Sequence, residues 1–68
     1  MINVGEELKA HRTKANLSQQ ALADYIKTTQ QSISRWENNE VELPLSICIA
    51  LADFYHISLD ELVGREIK

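Results

Sequence analysis

Five helix-start signals fall within 68 residues, and their spacing leaves this chain little to build except short helices joined by tight connections. Asn3-Val4-Gly5-Glu6 has capping-box spacing, in which two side chains satisfy N–H groups that a helix start leaves unpaired. Ser18 can cap a second helix, and Thr28-Thr29-Gln30-Gln31 offers a Thr-x-x-Gln box for a third. Pro44 suits the first turn of a fourth, and Ser58-Leu59-Asp60-Glu61 is another box. Asn16 and Gly64 read as stops, because both tolerate left-handed backbone. Gly5, Gly64 and Pro44 are the only strong backbone breakers, too few for the turns of a β-barrel. The expected fold is all-α, a compact five-helix domain spanning residues 1–68.

The apolar spacing supplies a face for each helix. Val4, Leu8 and Ala15 share one side of the first. Ala21, Leu22, Tyr25 and Ile26 form the inner side expected of the second. The fourth, with Leu45, Ile47, Cys48, Ile49, Leu51, Ala52, Phe54 and Tyr55, is apolar nearly all round. Such a helix is central to the core or covered on a second side by a partner.

Size and composition narrow the function. A chain of 7.8 kDa has no room for the βα repeats of a dinucleotide-binding fold. Cys48 is the sole cysteine, so no internal disulfide can form, and its apolar neighbours point to a buried thiol in a reducing compartment. The longest apolar run, residues 47–52, is far shorter than a membrane span, and no signal stretch follows Met1. A cytoplasmic protein is expected. The net charge of −3 argues by itself against nucleic acid, but its distribution is uneven. Residues 1–38 carry five basic and four acidic side chains, and residues 39–68 carry two and six.

On a helical wheel over residues 29–38, Ile33 and Trp36 point one way with Glu37 beside them. Gln30, Gln31, Ser34, Arg35 and Asn38 cover the other side. Two apolar residues cannot stabilise so short a helix alone, so its neighbours must hold it. Its open face is rich in amides and carries one guanidinium. Asn and Gln amides match the paired donor and acceptor of adenine in the major groove, and Arg matches guanine. With a tight turn and a second helix before it, the segment has a helix-turn-helix outline. The same face would also serve as an ordinary solvated surface.

Arg12 follows Leu8 by four residues and Glu37 follows Ile33 by four, so both charges lie on inward stripes. Unpaired burial of either is expensive, and the two are expected to form an ion pair.

From Leu8 to Leu62 the chain resembles the Cro and phage-repressor class of helix-turn-helix proteins, often called XRE-like. The resemblance is carried by Leu17-Ser18-Gln19, Leu22-Ala23, Ile33-Ser34-Arg35-Trp36-Glu37-Asn38, Leu51-Ala52-Asp53 and Ile57-Ser58-Leu59-Asp60-Glu61-Leu62. Residues 28–33 are similar to the recognition helix of a lambda-like phage repressor. The resemblance implies a sequence-specific transcriptional regulator, most often a repressor, with Gln30, Gln31, Ser34 and Arg35 on bases. Ser18, Gln19, Lys27, Thr28, Thr29, Ser32 and Asn38 are the implied contacts to the DNA backbone. It also implies a homodimer on a near-palindromic double-stranded operator, with Ile47, Leu51, Leu59, Val63 and Ile67 as interface candidates. Arg12 and Glu37 match a structural ion pair of the class.

The departures are informative. Asn16, Lys27, Asn39 and His56 stand where the class often has Gly, and Lys27 is the one most strained by positive φ. The loop after the third helix, commonly basic, reads Asn39-Glu40-Val41-Glu42, which limits phosphate contact there to backbone N–H groups. Leu43 replaces a common Pro.

No metal, cofactor or small-molecule site is expected: His11, His56 and Cys48 lack ligand spacing. An enzyme is not expected either, since Asp60 and Glu61 read as helix-start chemistry. The alternative to DNA reading is a protein-interaction module of the same fold, favoured by the net charge and the apolar fourth helix.

Overall fold

The computed structural model describes residues 3–64, and among them the regular structure is five helices without a strand. They are α1 (Val4–Lys14), α2 (Gln19–Ile26), α3 (Gln30–Glu37), α4 (Leu45–Tyr55) and α5 (Leu59–Val63). Four begin on a side-chain cap. Asn3 accepts from the Glu6 N–H at 3.0 Å, Ser18 from Ala21 at 3.0 Å, Thr29 from Ser32 at 3.1 Å and Ser58 from Glu61 at 3.1 Å. The third cap is therefore Thr29 and not Thr28, one residue later than the box spacing predicts. Pro44 likewise stands before α4 instead of in its first turn: its ψ of 145° is extended, and its carbonyl accepts from the Ile47 and Cys48 N–H groups.

The helix ends repeat one device. Asn16, Lys27, Asn39 and His56 all have φ between 57° and 60°. After each, the next N–H reaches back five residues: Leu17 to the Arg12 carbonyl, Thr28 to Ala23, Glu40 to Arg35 and Ile57 to Ala52. These bonds satisfy carbonyls that the last turn leaves open. Gly64 closes α5 at φ 80°.

α1 packs on α3 and α5, α2 on α3 and α4, and α4 on α5. Every helix contributes to the core: Leu8, Leu22, Ala23, Ile33, Trp36, Leu51, Ala52 and Leu62. Two expectations need correction. Ala15, at the end of α1, is exposed, and so is Tyr25, at 64%. The fully buried residue of α2 is Ala23, because α2 is wedged between α3 and α4 and needs a small side chain on that side. Tyr25 instead lays its ring on Phe54 of α4, with centroids 5.1 Å apart.

Gly5 lies where two helices approach closely. A Cβ there would lie 2.2 Å from the Glu37 carbonyl oxygen, so the start of α1 meets the end of α3 only because no side chain intervenes. Asn39 fastens the same junction: its Oδ1 accepts from the Gly5 N–H at 3.0 Å, and its Nδ2 donates to the Asn3 Oδ1 at 2.8 Å. Gly5→Ala should therefore lower stability by about 1–3 kcal/mol through overpacking. Ala is nevertheless the better helix former by about 1 kcal/mol. Urea unfolding of the two proteins decides between the effects, and a more stable variant would contradict the close approach.

Candidate nucleic-acid interface

The interface is built outward from a buried ion pair. Arg12 and Glu37 are 9% and 8% exposed. Arg12 Nε donates to Glu37 Oε2 at 2.6 Å and Nη2 donates to Oε1 at 3.1 Å, a two-pronged bond between α1 and α3. Nη1 donates to the Leu17 carbonyl at 2.8 Å, fixing the connection into α2. The bond to Glu37 holds the guanidinium more firmly protonated than usual, outweighing the opposing effect of burial.

Glu37 also holds Gln19, the first residue of α2. Gln19 Nε2 donates to Glu37 Oε1 at 3.0 Å, and Gln19 Oε1 accepts from Gln30 Nε2 at 2.5 Å. A carboxylate only accepts, so it sets which end of the Gln19 amide faces it, and that amide in turn sets Gln30. The Gln30 oxygen and one amide hydrogen stay open, the pair that adenine requires. Gln19, expected on the DNA backbone, has its side chain engaged by Glu37 and Gln30, with one amide hydrogen left over.

The remaining residues expected at DNA divide by what already holds them. Gln31 and Arg35 are exposed and make no side-chain bond among the described residues, and Lys27 is exposed at the α2–α3 turn. Ser32 and Thr29 share a bond of 2.9 Å between their hydroxyls, and Asn38 donates to the Ser34 hydroxyl at 3.4 Å. Ser18 is exposed and Thr28 half-buried. All lie on α3, its turn or the start of α2. Glu40 and Glu42 are exposed just beyond α3, while Asn39 is engaged by α1. Cys48 is half-buried, and burial pushes its thiol pKa up, which disfavours the reactive thiolate.

Two features escaped the sequence reading. One is the Gln19–Gln30 amide pair, which depends on how α2 crosses α3. The other was legible: α1 and α5 carry acidic residues in their first turns, whereas α2, α3 and α4 carry none. The positive ends of α2 and α3 are thus uncompensated, which favours phosphate contact.

Of the interface candidates, Leu59 is 42% exposed and Ile47 and Val63 are half-buried. Leu51 is corrected: at 2% exposed it belongs to the chain's own core and offers nothing to a partner. Ile67 lies outside the described residues. Leu45 and Ile49, 67% and 47% exposed, are the open apolar side chains of α4.

Arg12→Ala should cost about 3–5 kcal/mol, because it strands the Glu37 carboxylate inside the protein. Replacing both partners, Arg12→Met with Glu37→Leu, should recover most of that loss, as apolar substitutes for buried pairs commonly do. Thermal unfolding of both variants checks this, and equal losses in the two would contradict it.

The chain was compared with known proteins. A family model described as helix-turn-helix matches residues 8–62. The HTH-type transcriptional activator BcrR of Enterococcus faecalis is 30% identical over 61 residues, covering 90% of this chain and 30% of that protein. This chain therefore spans less than a third of that relative. The P22 c2 repressor, in its crystal structure with a synthetic operator, superposes with a TM-score of 0.86 at 29% identity, covering 97% of this chain and 100% of that one. A transcriptional regulator from Listeria innocua shares the fold, with a TM-score of 0.87 at 22% identity over 100% of this chain and 64% of its own. The chain belongs to the helix-turn-helix family, in the Cro and phage-repressor class that its motifs resemble.

Proposed function

We propose that this chain is a DNA-binding transcriptional regulator that lays α3 in the major groove of double-stranded DNA. The observation that carries the reading is the exposed α3 face. Gln31 and Arg35 stand open, beside a Gln30 whose amide is oriented by Gln19 and Glu37. The similarity to an operator-bound repressor supports the same placement. Gln30, Gln31, Ser34 and Arg35 read bases. Lys27, Ser18 and the uncompensated starts of α2 and α3 hold phosphates. Thr29 and Ser32 support the first turn of α3, and Thr28 and Asn38 flank it.

The chain acts in the cytoplasm as a homodimer on a near-palindromic operator, with Leu59 and the open side of α4 as the contact, and carries no catalytic role. Repression follows wherever the bound site blocks polymerase. A protein-interaction module is the second reading, favoured by Tyr25, Leu45 and Ile49 standing open on a chain whose later half is acidic.

Selection from random double-stranded DNA at about 100 mM salt separates the readings, since screening weakens purely electrostatic binding. An enriched inverted repeat with half-sites about one helical turn apart is the expected result. Recovery without enrichment would favour the protein-interaction module. On the selected site, Gln31→Ala should relax one position at a cost of about 1–3 kcal/mol. Lys27→Ala should weaken binding to every sequence and reduce the salt slope by about 1. Leu59→Glu should lower dimerisation, measured by sedimentation, while leaving the monomer folded.

A further inference from the structure

We infer that Tyr55 and Glu37 together bind one buried water, and that this water makes Tyr55 of α4 a positioning residue for Gln30. The hydroxyl of Tyr55 is shielded from solvent and has no hydrogen-bond partner, a costly state for a group that both donates and accepts. Its ring is fixed from two sides, by His11 of α1 with centroids 5.7 Å apart and by Phe54 at 5.2 Å. The hydroxyl therefore has little freedom to look elsewhere.

A cavity beside it has about 10 Å³ of room for the centre of a water-sized sphere. That is close to what a single water needs. Tyr55, Glu37 and Trp36 are the lining residues with polar atoms, and Leu8, Leu22, Ile33 and Leu51 are the aliphatic ones. Glu37 has capacity to spare. Its two oxygens accept from Arg12 Nε, Arg12 Nη2 and Gln19 Nε2, three of roughly four acceptor sites on a carboxylate. Burial pushes the Tyr55 phenol pKa up, the positive charge of Arg12 opposes it, and the Glu37 carboxylate adds to the rise.

A water donating to Glu37 and accepting from Tyr55 satisfies the hydroxyl and fills the last acceptor site of the carboxylate. The water adds a hold from α4 to a carboxylate that Arg12 of α1 and Gln19 of α2 already grip. Its Oε1 stays on Gln19, and Gln19 keeps the Gln30 amide in one orientation. The second half of the inference rests on the base-reading role proposed above; the water site does not.

Two measurements test it. In the unliganded protein, water-selective NMR should show a long-lived water cross-relaxing with the Tyr55 ring protons, and Tyr55→Phe should abolish the signal while the other core resonances hold. No such signal in the parent protein overturns the water site. On the selected operator, Tyr55→Phe should reduce discrimination at the base pair read by Gln30 by roughly three- to ten-fold, a fraction of a full bidentate contact. Discrimination at the Gln31 position and affinity for random DNA should be unchanged. An equal loss at all positions, or none, overturns the positioning role. Failure to enrich any sequence overturns base reading and the positioning role together, whereas the water signal reports on its site in either case.

Discussion

The buried bond between Arg12 and Glu37 is the constraint on which the rest of this structure depends. It joins the end of α1 to the end of α3 and, through the Leu17 carbonyl, holds the segment that leads into α2. Removing two charges from water is costly, and an apolar pair of similar volume would pack the same space at least as stably. An apolar pair, however, offers no acceptor to Gln19. The carboxylate orients an amide chain that runs through Gln19 to Gln30 of α3. The ion pair thus links the packing of three helices to the direction of one side chain on α3.

The helix starts differ in charge. α1 and α5 begin with acidic residues that oppose their dipoles, whereas α2, α3 and α4 begin without them, and of those three α2 and α3 belong to the helix-turn-helix. A chain with a net charge of −3 can in this way still present a phosphate-compatible surface, because the favourable partial charges are local and the excess acid lies mostly after residue 38. The acidic Glu40 and Glu42 set the edge of that surface.

Much of the fold was legible because it is local. Caps act over three residues and stops over five, so Asn3, Ser18 and Ser58 and the left-handed Asn16 could be found along the chain, whereas Lys27, Asn39 and His56 were marked by the glycines of the class the chain resembles. The pairing of Arg12 with Glu37 was legible for a different reason: two charges on inward stripes leave each other as the economical partner. The misses have equally specific causes. Adjacent Thr28 and Thr29 offer the same hydroxyl one residue apart, and spacing alone does not choose between them. α4 is apolar on every side, so nothing in its own pattern says that Leu51 faces inward while Leu45 and Ile49 face out. Ala23 and Tyr25 lie on either flank of α2, and only the wedge between α3 and α4 decides which is buried.

The sequence by itself determined that five helices form and, to within a residue, where they begin, which residue types line α3, and which two charges are placed to meet. Those are matters of backbone dihedrals, short-range hydrogen bonds and helical period. The tertiary structure alone decided that Gln19 orients Gln30, that Asn39 fastens Gly5, and that Tyr55 of α4 lines a cavity against Glu37. The first two contacts join residues 11 and 34 positions apart, and their geometry depends on the angles and distances at which helices cross. Those crossings are set by the packing of all five helices together, and no single stretch of sequence encodes them.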